Sequence, residues 1–250
     1  MQQRRQQITE LINREGQVSF GELKRAFPDI SEMTLRTDLK YLDEQNAIVR
    51  IHGGAKSIDT VAGTDGYLSR RAVHNPDSKK QIARKAVQLL RGKSSVFLDS
   101  GSTTTVFSKF IPDAPRQIYT CGISCAVELA ALSQPSVHLL GGRLNRYSLS
   151  VAGSSSVLEL KSHYFDICFL GATSFSPERG FCCESGEDCV LKGVALAQSE
   201  YTVMLLDSSK FGMMNTHSIC PAGGVDAIVT DDGITQEQRT VFTDQGIAVF

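Results

Sequence analysis

No run of 18 apolar residues occurs anywhere in the 250 positions, so nothing in the sequence is long enough to cross a membrane as a helix. An excess of one charge is missing too. Twenty-six Lys and Arg stand against 27 Asp and Glu, a formal net charge of −1, so bulk electrostatics announces no polyanionic partner. The balance holds locally, with nine basic and eight acidic residues over positions 1–56. Internal repeats and low-complexity tracts are absent, which excludes solenoids and disordered chains and leaves an ordinary soluble globular composition. The seven cysteines form an odd set with no CxxC and no paired-histidine spacing, so reduced thiols are expected, with no metal and no cofactor. The opening MQQRRQQITELINREGQ has charges before its first apolar residues and no uninterrupted apolar stretch of the secretory kind, and the expectation is a cytoplasmic protein.

What is present is pattern. Two domains suit the length: a small one over 1–57, a linker region over 58–78 with no sustained period, and a larger one over 79–250. Ile8, Leu11 and Ile12 followed by Gly16 read as a helix and its stop. Ser19 with Glu22 is a capping box, and Phe20, Leu23 and Phe27 supply the apolar stripe behind it. Pro28-Asp29-Ile30 interrupts that helix, and Ser31 caps a third running to about Glu44. On the third helix Leu35, Leu39 and Leu42 share one face, while Met33, Arg36, Thr37, Lys40 and Glu44 share the other. Arg36 suits a guanine edge or a phosphate and Lys40 a backbone phosphate, although a solvated helix face would carry the same residue types. Asp38, beside the apolar stripe, is expected to be a structural partner. AIVRIHGGAKS then reads as two β-prone pieces around Gly53-Gly54, a wing carrying Arg50, His52 and Lys56. Three helices and a wing spell a winged helix-turn-helix.

From Lys79 the chain alternates. Strand-like runs at Val96–Leu98, Gln117–Tyr119, Val137–Leu140, Ile167–Leu170, Thr202–Leu206 and Ala227–Val229 are interleaved with helical patterns at Gln81–Leu90, Ser124–Leu132, Glu187–Glu200 and Thr235–Asp244. This predicts an α/β domain with a mainly parallel sheet covered on both faces. Asp99-Ser100-Gly101-Ser102-Thr103-Thr104-Thr105 falls where a strand ends and a helix begins; Gly101 permits close approach and the amides of Ser102 to Thr104 suit an anion, though an ordinary Ser/Thr cap would look the same. Gly141-Gly142-Arg143 also follows a strand, where ligands of open parallel sheets collect. Asp188 and Lys192 are one helical turn apart and could be a surface ion pair; Lys210 could supply a further positive group.

Four stretches carry a resemblance: Ser31-Glu32-Met33-Thr34-Leu35-Arg36-Thr37-Asp38-Leu39, Arg50-Ile51-His52-Gly53-Gly54-Ala55, Phe97-Leu98-Asp99-Ser100-Gly101-Ser102-Thr103-Thr104 and Asp207-Ser208-Ser209-Lys210-Phe211-Gly212. In that order and at those separations they resemble the DeoR family of bacterial sugar-metabolism repressors over nearly the whole chain. The resemblance implies a sensor domain similar to the ribose-5-phosphate isomerase and glucosamine-6-phosphate deaminase group. It implies operator double-stranded DNA as one partner, contacted by Ser31, Met33, Thr34, Arg36, Thr37, Lys40, Arg50, His52, Gly53, Gly54 and Lys56. It implies a phosphorylated sugar or related effector as the other, bound by Asp99, Gly101, Ser102, Thr103, Thr104, Gly141, Gly142, Asp188, Lys192 and Lys210, with Glu184 and Glu187 as extra lining. Departures stand at Thr37, where a second basic residue is usual, in the longer Pro28-Asp29-Ile30 turn, at Thr120-Cys121-Gly122 in place of an asparagine-bearing stretch, and at Thr173, where an aspartate is frequent. The expected function is a transcriptional regulator acting as a homodimer or higher even oligomer. The rival is a sugar-phosphate isomerase or deaminase with an appended helical module, and Thr173 weighs against it because such an enzyme needs a carboxylate base.

Overall fold

The structure, a computed structural model, describes residues 2–45, 47–57 and 68–250. The chain divides into two compact units, Met1–His74 and Asn75–Phe250.

The smaller unit runs α1 (Gln2–Glu15), β1 (Gln17–Ser19), α2 (Phe20–Ala26), α3 (Glu32–Glu44), β2 (Val49–Ile51) and β3 (Gly54–Lys56), with α4 (Leu68–Val73) near its end. Positions 58–67 of the expected linker lie outside the described residues. Ile8, Ile12, Val18, Leu23, Leu35, Leu39, Leu42, Ile48 and Ala55 form one buried core. Glu22 closes the expected capping box: its amide donates to Ser19 Oγ at 3.2 Å, and its carboxylate accepts from the Ser19 amide at 2.8 Å. The first helix begins well before its apolar stripe, because polar residues in its first turns find partners: Arg4 and Arg5 donate to the two oxygens of Asp38 at 2.6 and 2.8 Å. Asp38 is therefore the structural residue its position suggested. The wing gains an unexpected third strand, in the order β1-β3-β2. Three residues, the last of them already the cap of α2, are too few to show a period.

The larger unit runs α5 (Pro76–Ala86), β4 (Ser95–Leu98), α6 (Ser102–Ser108), β5 (Gln117–Thr120), α7 (Ile123–Leu129), β6 (Ser136–Leu139), β7 (Arg143–Asn145), β8 (Ser150–Ala152), α8 (Ser154–Leu160), β9 (Ile167–Gly171), β10 (Ser174–Ser176), β11 (Gly180–Cys183), α9 (Gly186–Ala197), β12 (Thr202–Leu205), β13 (His217–Cys220), β14 (Ala227–Val229), α10 (Gln236–Thr243) and β15 (Ala248–Val249). Seven strands form a fully parallel sheet in the order β15-β14-β12-β9-β4-β5-β6. Its inner strands β4, β9, β12 and β14 read as nearly continuous apolar runs because both faces are covered, whereas the edge strand β6 carries Ser136 and His138 and is only partly buried. Phe97, Leu170, Met204 and Ile228 meet Leu160, Leu191 and Phe242 of α8, α9 and α10 on one face. Val96, Leu98, Phe169 and Val203 meet Ile82, Phe107 and Leu129 of α5, α6 and α7 on the other. Strand order reverses at β4: the chain lays β5 and β6 to one side, then returns to place β9 on the other. Sequence reading missed the β7–β8 hairpin and an antiparallel β10-β11-β13 sheet, whose strands are only three or four residues long.

Candidate nucleic-acid interface and effector crevice

The two faces of α3 separate cleanly. Leu35, Asp38, Leu39 and Leu42 are buried, whereas Met33, Arg36, Thr37 and Lys40 are exposed. Several hydroxyls on this helix are occupied locally: Ser31 Oγ accepts from the Thr34 amide at 3.2 Å and pairs with Thr34 Oγ1 at 2.8 Å, while Thr37 Oγ1 donates to the Met33 carbonyl at 2.9 Å. Arg36 lies over the Phe20 ring, 4.6 Å from its centroid, and 3.6 Å from Glu32; Lys40 stands 3.8 Å from Glu44. Such exposed i,i+4 pairs hold little energy and exchange readily for phosphate. The wing is a two-residue turn, His52-Gly53, between paired Ile51 and Gly54, and Gly53 has φ +80°. His52, Gly53 and Arg50 are exposed and Lys56 half-buried. Gly54 is different. It is buried, and an added Cβ would strike the Val18 carbonyl, so β1–β3 packing accounts for this glycine.

In the larger unit the reversal of strand order puts Asp99, just past β4, beside Gly171 at the end of β9, the place where open parallel sheets bind ligands. Asp99 is buried and fully engaged. One carboxylate oxygen accepts from the Gly171 amide at 2.9 Å and from the Lys192 ammonium; the other accepts from the Cys121 thiol at 3.5 Å. Lys192 also donates to the Gly171 carbonyl at 3.0 Å. Burial opposes its charge, but the Asp99 carboxylate prevails and holds the ammonium above its ordinary pKa. The Cys121 thiol is pushed up well above its usual value by burial first and by Asp99 second. Of the two readings that the sequence left open for Lys192, effector lining or an ion pair at the surface with Asp188, the surface position does not hold: the side chain is buried and turns inward to Asp99, with Asp188 adding a weaker favourable charge.

Gly101, with φ +129°, is the N-cap of α6, and no side chain caps that helix. The Ser/Thr cap that the sequence left open is therefore not formed. Thr104 and Thr105 hydroxyls instead turn back to the Gly101 carbonyl at 3.0 and 2.6 Å, so Thr104, which is buried, spends its hydroxyl internally. The first amides of the helix have no intrahelical acceptor, as in any helix. Gly141 donates its amide to Glu159 and accepts from Ser156 Oγ at 2.5 Å; a Cβ at Gly142 would strike Ser156 and the Ala152 carbonyl. This loop thus seats α8. Lys210 is half-buried in a turn that follows Asp207, and Asp188 donates its amide to Ser185 Oγ, the cap of α9. A pocket of about 690 Å³ at the starts of α8 and α9 is lined by Arg143, Gly153, Ser154, Ser185, Gly186 and Glu187, among others. Arg143 and Glu187 pair across it. Sequence reading passed over Gly153, although Gly153-Ser154-Ser155-Ser156 repeats the pattern of the α6 start: glycine after a strand, φ +108°, no side-chain cap.

A family model described as the DeoR C terminal sensor domain matches residues 74–232, and one described as the DeoR-like helix-turn-helix domain matches residues 4–61. The chain belongs to the DeoR family. It is similar to the uncharacterized HTH-type transcriptional regulator YulB of Bacillus subtilis (28% identity, covering 99% of this chain and 95% of that one). It is likewise similar to a putative aga operon transcriptional repressor of Escherichia coli O157:H7 (28%, covering 99% and 92%) and to the HTH-type transcriptional repressor GlcR of Bacillus subtilis (30%, covering 81% and 78%). Among solved structures it is similar to ribose 5-phosphate isomerase A of Methanocaldococcus jannaschii, with a TM-score of 0.39, 18% identity and 55% of each chain covered. As a DeoR-family protein it is a transcriptional regulator with an N-terminal helix-turn-helix unit and an α/β sensor unit. Its departure at Cys121 places a thiol on Asp99, and Thr173 donates its amide to the Cys182 carbonyl at the entry to β10.

Proposed function

We propose that this DeoR-family regulator represses a carbohydrate-metabolism operon, binds operator DNA through α3 and the wing as a homodimer or higher even oligomer, and is switched by a phosphorylated sugar at the C-terminal edge of the parallel sheet. One observation carries the effector site: α6 begins at Ser102, just past Gly101 and at the switch in strand order, without a side-chain cap. Its first amides and the macrodipole favour an anion there. The Asp99 charge, which would repel phosphate, is neutralised by Lys192. A separate pocket at the starts of α8 and α9, lined by Arg143, Ser154, Ser185 and Glu187, offers polar groups of the kind that bind sugar hydroxyls. Arg36 and Lys40 support DNA contact, and pairing of modules is favoured because a nearly neutral chain gains little affinity from one winged unit. Repression, as opposed to activation, is supported by two relatives named as repressors. The isomerase reading loses to the match of both domains to regulators.

Thr103→Asp tests the effector site. A carboxylate at the start of α6 suits the helix dipole, so the protein folds, yet it repels phosphate. Operator binding measured by fluorescence anisotropy should respond to a phosphorylated sugar in the wild type and not in the variant. An unchanged response in the variant contradicts the site.

A further inference from the structure

We infer that Met33 reads the 5-methyl group of a thymine in the operator, next to the base contacted by Arg36. The inference rests on the reading that α3 enters the major groove. Met33 is 74% exposed and lies one residue inside the helix start, on the face opposite the buried Leu35, Leu39 and Leu42. Its neighbours have little left to offer a base edge. The hydroxyls of Ser31 and Thr34 bond each other at the cap, and that of Thr37 bonds the Met33 carbonyl itself. Lys40, two turns on, sits with Glu44. The front of the exposed face therefore presents one cation, Arg36, held over the Phe20 ring, and one long apolar chain, Met33.

An apolar side chain in the major groove has one apolar partner among the base edges, the thymine 5-methyl, since the other groups there are hydrogen-bond donors and acceptors. The helix start is the part that meets base edges in helix-turn-helix proteins. Met33 precedes Arg36 by three residues, about 4.5 Å along the helix axis, or roughly one base step of 3.4 Å. The thymine therefore neighbours the position at which Arg36 discriminates. A flexible thioether also suits an irregular groove floor better than a branched chain.

The experiment uses the full chain and an operator obtained by selection from random duplexes. Each thymine is replaced singly by deoxyuridine, which removes only the 5-methyl, and affinities are compared for wild type, Met33→Ala, Met33→Leu and Arg36→Ala. One thymine in each half-site, adjacent to the position whose discrimination Arg36→Ala relaxes, should lose about fourfold in wild-type affinity, the worth of one buried methyl-sized group. Met33→Leu should keep that sensitivity and Met33→Ala should lose it. Arg36→Ala weakening the complex while no thymine couples to Met33 overturns this inference alone. Arg36→Ala binding as well as wild type overturns both it and the placement of α3.

Discussion

The Lys192 ammonium on α9 meets the Asp99 carboxylate just past β4, and both groups are buried. Removing one partner leaves the other charge in a low-dielectric site, whereas removing both does not. Lys192→Met should therefore destabilise the larger unit by about 3–5 kcal/mol in urea unfolding, with Asp99→Asn/Lys192→Met recovering much of the loss. A Lys192→Met protein as stable as wild type would show that the pair does not hold the site together.

Asp38 gives the smaller unit a pH dependence. Burial alone would raise its pKa, but hydrogen bonds from Arg4 and then Arg5 outweigh it and set the carboxyl below its ordinary value. A depressed carboxyl stabilises the fold above its unfolded pKa, and that stability is lost as pH falls through the folded value. Urea midpoints should drop as pH is lowered below about 4. Asp38→Asn should cost about 2–3 kcal/mol at neutral pH and flatten that acid limb.

Asn75, where the larger unit begins, caps α5 in a left-handed conformation with φ +45°. Its amide donates to Asp207 at 3.2 Å and Ser209 at 3.1 Å in place of the helix it precedes. Asn75→Gly keeps the backbone and loses the two bonds; Asn75→Ala adds strain in the left-handed region. Thermal unfolding should rank wild type above Asn75→Gly and Asn75→Ala lowest, the last step being about 1 kcal/mol. Equal stability of the two variants would mean the backbone relaxes.

Phe20→Leu should retain most burial while removing the ring face beneath Arg36. The expected result is unchanged thermal stability with reduced discrimination at one operator position, the one proposed for Arg36, worth about 0.5–1 kcal/mol. Uniform weakening across all sequences would assign Phe20 a packing role only.

Local features were legible in the sequence. The Ser19–Glu22 capping box, the Leu35–Leu39–Leu42 face and the apolar strands depend on neighbours a few residues apart. The partner of Lys192 was not, because it arrives 93 residues away and only after β9 has returned to lie beside β4. Spacing alone offered Asp188, one turn distant. Gly54 reads as a DNA contact and Gly142 as an effector contact, and the fold adds a packing reason that the sequence does not show: a Cβ at either would strike a neighbouring backbone carbonyl. The strand-to-helix junction within Asp99–Thr105 is legible in the sequence, but only the folded backbone distinguishes an uncapped helix start from one closed by a Ser or Thr side chain.

The most direct measurement is reciprocal titration of operator and effector on the full chain. Anisotropy gives operator affinity with and without a phosphorylated sugar, and calorimetry gives affinity for that sugar with and without operator. Linkage requires the two factors to be equal. The account predicts equal factors well above one for a phosphorylated sugar, none for its unphosphorylated form, and none for Thr103→Asp. Operator affinity indifferent to every phosphorylated sugar tested, while DNA binding itself is intact, would contradict it.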